Sequence, residues 1–255
     1  MTSKLGSLFF ILTVALIALT GCERAQKVVM DAMPPEDDTI MEDSMVEATP
    51  MKIVLLIDYP EGGKDAYVEW VRSVAPTLQA FEEVRRIRSY DNQDPTMSPN
   101  RLVEYEFDSF LDMAAYLNRP EIAEIMSDLP NHASDVSLYT FIQRSDYSKS
   151  EEGNWPVKGV LLIDYPLGGK QAYLEWIDSV SSITVGPPQL KTIASYDNYY
   201  GESPHRLVEF EFANSEDSTT YGELEDIKAI EAELDVRTGS WTQHTFELRS
   251  DYINE

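Results

Sequence analysis

Cysteine and histidine are scarce in this chain, with one of the first and three of the second among 255 residues. Cys22 has no second cysteine to pair with, so a disulfide framework is excluded. Catalytic zinc needs about three protein ligands, and no spaced cluster supplies them. Basic residues are also short: 20 Lys and Arg face 45 Asp and Glu, a formal net charge of -25. Such a surface repels phosphate backbones and anionic headgroups, which excludes nucleic acid as a direct partner of the folded part. No apolar run reaches the roughly 20 residues of a spanning helix. What is present, 43% hydrophobic and 25% charged residues, is ordinary globular composition, with enough apolar side chain for one or two domains.

The one long apolar run, Leu8 to Leu19, follows a short positive start at Met1 to Lys4 and has the length of a signal-peptide core. It ends in Leu19-Thr20-Gly21-Cys22. This resembles the lipobox of bacterial lipoproteins. The resemblance implies cleavage after residues 1–21, a signal peptide, and lipidation of Cys22, whose thiol is the nucleophile able to take a thioether-linked diacylglycerol. The three acyl chains it implies, palmitate-like in kind, meet the need for more than one chain in stable membrane anchoring. Glu23 stands where the family's inner-membrane signal would be Asp, which favours the periplasmic face of the outer membrane within a bacterial cell envelope. Residues 22–50 carry eight acids against Arg24 and Lys27, with Pro34, Pro35 and Pro50 and no aromatics. They read as an acidic, extended tether.

Beyond the tether the sequence repeats itself. Val54 to Pro60 (VLLIDYP) recurs as Val160 to Pro166, and Gly62-Gly63-Lys64 as Gly168-Gly169-Lys170. Ser89-Tyr90-Asp91-Asn92 recurs as Ser195 to Asn198, Arg101 to Glu104 as Arg206 to Glu209, and Arg144 to Tyr147 as Arg249 to Tyr252. Two copies follow, residues 51–148 and 157–255, joined by a linker at 149–156.

Within each copy the periodicities run in a fixed order. In the first, Lys52 to Asp58 is a continuous apolar run, as in a strand buried on both faces. From Lys64, Ala66, Tyr67, Trp70, Val71 and Val74 fall on one helical face. Val84 to Asn92 is a second strand, and Val103, Tyr105 and Phe107 alternate with Leu102, Glu104 and Glu106 as a third. Pro120 opens a helix at its first turn, and Val136 to Arg144 is the last strand. The order βαββαβ is the ferredoxin-like unit, an α+β fold whose sheet has helices on one face and an apolar second face that must be covered. The unit resembles the dimeric α+β barrel superfamily, in which two such sheets join across a two-fold axis. Two fused copies then predict tandem repeats that pair with each other within the chain as a pseudo-dimeric barrel. One branch, the EthD-like proteins, carries a Trp followed by His-Ala-Pro on the first helix. Here Trp70 is followed at that spacing by Val74-Ala75-Pro76, and by Val180-Ser181-Ser182 in the second copy, so the family's His is absent.

The candidate chemistry is sparse. Gly62-Gly63-Lys64 lacks the spacing and the Ser or Thr of a P-loop and reads as a turn. His132, His205 and His244 fall at unmatched positions of the two copies, so haem ligation, as in the chlorite dismutase relatives of this fold, could use one copy only; no cofactor or metal is expected. The best polar cluster is Tyr90, Asp91 and Asn92, with Tyr196, Asp197 and Asn198. The best aromatic one is Tyr67 and Trp70, with Tyr173 and Trp176. A small-molecule pocket between sheet and first helix would draw on both. A hairpin through Gln93 to Pro99 pairs Arg88 with Glu104 and Arg86 with Glu106, whereas Ala194 and Thr192 face Glu209 and Glu211. With those cations missing, Glu209 or Glu211 is expected to titrate above Glu104 and Glu106, with any acid-base chemistry or cation binding in the second copy. Two function classes follow: a membrane-anchored lipoprotein binding a small apolar ligand or a protein partner, or, by fold analogy, a cofactor-independent monooxygenase- or isomerase-like enzyme.

Overall fold

The computed structural model describes residues 49–144 and 148–254. Cys22, the signal segment, nearly all of the tether and residues 145–147 lie outside them. In the first repeat, β1 (Met51–Asp58) leads through a glycine turn to α1 (Lys64–Leu78). Gly63 has φ 77° there, a conformation open to glycine and strained for other residues. A hairpin of β2 (Arg86–Asn92) and β3 (Arg101–Phe107) follows. Then come α2 (Phe110–Leu117), α3 (Pro120–Asp128) and β4 (Asp135–Gln143). The second repeat mirrors it: β6 (Val157–Asp164), α4 (Gly169–Val185), β7 (Leu190–Asn198), β8 (Arg206–Phe212), α5 (Ser215–Glu223), α6 (Glu225–Arg237) and β9 (Ser240–Ile253). Inside the linker, Lys149–Ser150 forms a two-residue strand, β5, on β7.

Two details differ from the sequence reading. The second strand begins at Arg86, two residues later than Val84. Each copy also contains an extra helix, α2 or α5, so the order is βαββααβ. A capping side chain explains the extra helix, because the backbone N–H of Asp112 donates to Ser109 and that of Asp217 donates to Asn214.

The repeats close on each other by exchanging strand edges. The order β4-β1-β3-β2-β9-β6-β8-β7 is sealed by pairing of β4 with β7, an eight-stranded barrel. The long strand β9 pairs with β6 along its first half and with β2 along its second, and β4 followed by β5 does the same with β1 and then β7. Strand alternation then sorts side chains into two environments. Met51, Ile53, Leu55 and Ile57 pack with Val103, Tyr105 and Phe107 against the helices of the first repeat, and Val157, Ile163, Val208 and Phe212 do so in the second. Val54, Leu56, Tyr90, Leu102, Val160, Leu162, Tyr196 and Leu207 fill the barrel interior.

Candidate functional site

The barrel interior has a charged centre. Lys52 and Lys158 alternate inward from the two central strands, and each reaches the carboxylate of the other repeat. The Lys52 ammonium lies 2.6 Å from Glu209 Oε2, and the Lys158 ammonium 2.7 Å from Glu104 Oε2. Arg88 joins three carboxylates, at 2.7 Å from Glu106, 2.7 Å from Glu211 and 3.3 Å from Glu104. Lys158 also stands over the Tyr90 ring and Lys52 over that of Tyr196, at 4.9 Å and 4.5 Å from the centroids. Lys52, Lys158 and Arg88, together with the half-exposed Arg85 at 2.8 Å from Glu106, thus serve four buried carboxylates, Glu104, Glu106, Glu209 and Glu211.

Glu209 differs from the other three. Burial and the neighbouring Glu104 carboxylate raise its carboxyl to about 7, against the pull of Lys158 and Lys52. Burial also opposes ionisation of Glu104, but Lys158, Lys52 and Arg88 outweigh it and hold that group well below the ordinary range. Glu106, despite its burial, is brought to about 2 by Lys52 and Arg88. Glu211 is likewise lowered, with Lys158 and Arg88 overriding burial. The paired register read from the sequence is the observed one: Arg88 with Glu104, Arg86 with Glu106, Ala194 with Glu209 and Thr192 with Glu211. The difference between Glu209 and Glu211 comes from the Glu104 carboxylate beside the first and the far reach of Arg88 to the second, while the inward Lys52 and Lys158 were passed over in reading the strands as apolar runs. Their only sequence signal was a lysine at the second residue of each central strand.

The candidate ligand residues are divided between the two environments. A pocket between sheet and first helix cannot draw on the whole Tyr90-Asp91-Asn92 trio, because adjacent strand residues point to opposite faces. Tyr90 and Tyr196 face the barrel interior with Glu209 and Glu211. Asn92 and Asn198 close their hairpin loops by donating to the Pro99 and Pro204 carbonyls. Asp91 remains on the helix side, where Tyr59 donates to it at 2.9 Å and Lys64, Arg101 and Arg249 pair with it. Burial opposes ionisation of Asp91, but its donors Lys64, Tyr59 and Arg101 hold the carboxyl below its ordinary value. Asp197 repeats this arrangement with Tyr165, Lys170, Arg144 and Arg206. The long strands cross between repeats, so Arg249 and Arg144 each serve the aspartate of the other copy.

Beside Asp91, between the first sheet and α1, lies a cavity of about 80 Å³. Its apolar wall includes Leu55, Val71, Val103, Ile125, Met126 and Leu129, and its aromatic wall Tyr67, Trp70 and Tyr105. Ser89, Arg101 and Ser250 also line it. Burial pushes the Tyr67 hydroxyl up to about 12, so it stays protonated and available as a donor. The Trp70 indole donates to Asp128 at 3.2 Å, and His132 stacks on its ring at 4.6 Å. In the second repeat, Trp176 is buried together with Tyr173 and Ile177.

Haem would need an axial ligand beside such a cavity, and the histidines do not fit that task. His132 Nε2 is engaged by Asp128 at 2.9 Å, and His205 Nδ1 by Asp164 at 2.8 Å in a loop. His244 sits beside Phe246 of the barrel interior, its pKa lowered by burial. None of the three lines the cavity.

Comparison with known proteins bears on the fold. No family profile and no curated protein matches the chain. Among solved structures, a monooxygenase-like protein of Fusobacterium nucleatum subsp. nucleatum superposes with a TM-score of 0.63 at 8% identity, over 81% of this chain and 95% of that one. An anthrone oxidase-like protein gives 0.62 at 10% identity, over 82% and 94%. A chlorite dismutase variant of Candidatus Nitrospira defluvii gives 0.58 at 11% identity, over 82% and 94%. The fold is the dimeric α+β barrel. Here the α+β barrel is made by two repeats of one chain, and at these identities the likeness speaks for the architecture alone.

Proposed function

We propose that the protein is a lipoprotein of the bacterial cell envelope, anchored through Cys22, whose α+β barrel binds a small, mostly apolar molecule in the first-repeat cavity. The cavity carries this reading: an aromatic and aliphatic wall with a few placed polar groups is the usual make-up of a ligand site. At about 80 Å³ it is smaller than the roughly 150 Å³ cavity that takes benzene. Entry of a single ring therefore involves movement of the half-buried Trp70. The N-terminal lipid is the membrane partner in this reading.

Two measurements test the proposal. Metabolic labelling with palmitate should mark the protein and leave a Cys22→Ala variant unlabelled; equal labelling overturns the anchor. Native mass spectrometry of protein from its own envelope should show a bound small molecule that Trp70→Phe or Val71→Phe depletes; retention by both overturns the cavity.

The second reading is a cofactor-independent oxygenase of small aromatic substrates, favoured by the monooxygenase-like and anthrone oxidase-like names among the fold neighbours. The cavity lining contains neither histidine nor cysteine, which favours binding over catalysis. Oxygen uptake upon adding the recovered molecule supports the enzyme, and recovery of that molecule unaltered supports the binder.

A further inference from the structure

One end of the cavity differs from the rest. Ser89 on β2, Arg101 on β3 and Ser250 on β9 form a continuous polar edge. Arg101 Nη2 donates to Ser89 Oγ at 2.8 Å, and Ser89 Oγ lies 2.6 Å from Ser250 Oγ. Ser250 reaches this edge because the β2–β9 register slips by one residue between Ser89 and Tyr90, a bulge at Arg249. The slip sends both Arg249 and Ser250 to the helix side.

The charge at this end is unbalanced. Lys64, Arg101 and Arg249 share the single carboxylate of Asp91. Lys64 and Arg249 are about half exposed and are screened by water, but the Arg101 side chain is only 8% exposed. Its Nη1 is used by Asp91 and its Nη2 by Ser89, while its Nε is buried without a hydrogen-bond partner. A buried donor left unmade is costly, and a charged one more so. None of the residues lining the cavity is acidic, so within that lining the guanidinium meets the neutral Ser89 hydroxyl and the Tyr67 ring, 5.5 Å from its centroid, and no anion.

Resting on the cavity reading above, we propose that the molecule bound there is a small monocarboxylate with an apolar, single-ring or short-chain body. Its carboxylate faces Arg101, Ser89 and Ser250, and its body lies against Tyr67, Trp70 and Ile125. A planar guanidinium suits a carboxylate geometrically. In a chain of net charge -25, an anion gains from entering only where the local charge is reversed, and this end supplies that reversal.

The test uses the full-length protein in detergent at pH 7, with benzoate and benzyl alcohol as probes of matched size. Methyl-detected NMR titration follows Val71, Ile125 and Met126 in the cavity wall. Benzoate should bind at least about tenfold more tightly than benzyl alcohol, a ratio equivalent to about 1.4 kcal/mol, and should shift those methyls. Arg101→Met should abolish the ratio by weakening benzoate. Equal binding of the two probes to the wild-type protein overturns the carboxylate and leaves the apolar cavity standing. Binding of neither overturns the cavity reading itself. A benzoate preference whose shifts miss the cavity methyls and map to exposed Lys64 and Arg249 overturns the proposed site, and the wild-type comparison decides all of these even if Arg101→Met does not fold.

Discussion

On the inner face of the first repeat, β2 places Arg86 and Arg88 opposite Glu106 and Glu104; on the inner face of the second, β7 places Thr192 and Ala194 opposite Glu211 and Glu209. Taken alone, the second repeat would bury two carboxylates with Lys158 as their one inward cation. Closure of the barrel changes that balance, because Lys52 and Arg88 of the first repeat supply Glu209 and Glu211 across the interior. Charge balance is thus a property of the pair of repeats. The copy that lost its arginines depends on the copy that kept them, and Glu209, buried beside Glu104, is the one of the four carboxyls raised above its ordinary value.

The strongest way to break this dependence is to remove a buried lysine. Lys158 is fully buried and meets Glu104, Glu209 and Glu211. Lys158→Met leaves those carboxylates short of a cation, and breaking a buried ion pair on one side typically costs about 3–5 kcal/mol. Urea unfolding at pH 7 should show a loss of that order, and adding Glu104→Gln should recover a large part of it. A loss below about 1 kcal/mol would show that water enters the barrel.

The tryptophans sharpen the comparison on the helix side. Trp176 is 6% exposed in a closed core, whereas Trp70 is half-buried and borders the cavity. Trp176→Ala should cost about 3 kcal/mol or more, in the usual range for a buried aromatic. Trp70→Ala should cost distinctly less, because part of its surroundings is already open. Thermal unfolding of the two variants reads the difference, and equal losses would argue that the first-repeat cavity is closed in solution.

Returning the missing arginine gives a smaller and more specific effect. Glu209 binds its proton more tightly in the folded state, about 7 against an ordinary 4.5. Between those values the folded protein holds a proton that the unfolded chain has released. Its contribution is therefore fully present below pH 4.5 and is lost as pH rises through 7, at up to about 1.4 kcal/mol per pH unit for one proton. Glu104, Glu106 and Glu211 are shifted the other way, so their contributions are present above 4.5 and lost as pH falls below it. His244, lowered by burial, adds an opposite slope just below its ordinary 6.5. Ala194→Arg should bring Glu209 down by at least about one unit and flatten the slope between pH 4.5 and 7, while the His244 part cancels in the comparison with wild type. Carbon-detected NMR of the glutamate carboxyls and urea midpoints across that range measure both. An unchanged Glu209 midpoint would detach it from the missing cation.

Much of this arrangement was legible in the sequence. Alternation and the hairpin loop gave the register of all four arginine, alanine and threonine pairs with their glutamates, and repetition gave the closed pair of copies. Three features were harder to read, each for a physical reason. Lys52 and Lys158 sit in strands so apolar that burial of an ammonium there makes sense only once carboxylates from the opposite repeat are in view. Tyr90 and Asp91 are neighbours in sequence but occupy opposite faces of a sheet, so a shared pocket required ignoring the pleat. The polar cavity edge depends on the slip that brings Ser250 round to Ser89, and a bulge leaves no mark in the hydrophobic pattern. Helix α2 was a different case, since Ser109 with Asp112 three residues on is a readable cap.

The smallest expected effect concerns the two arginines exchanged between repeats. Arg144 Nη1 lies 2.6 Å from Asp197 and its side chain is 24% exposed, while Arg249 Nε lies 2.9 Å from Asp91 and its side chain is 53% exposed. Exposed ion pairs contribute about 0.2–1 kcal/mol and are screened by salt. Arg249→Ala should therefore lower stability by a few tenths of a kcal/mol, an effect that 0.5 M NaCl removes. Arg144→Ala, at the seam where β4 meets β7, should cost more and keep most of its effect in salt. The seam itself gives the reason: β4 and β7 share three register pairs and β5 adds two, whereas β2 and β9 share seven, so a lost side-chain contact there is backed by less backbone pairing. Matching, salt-sensitive losses at both positions would show that the two seams of the barrel are equally strong, and that the shorter one is held by more than its hydrogen bonds and this arginine.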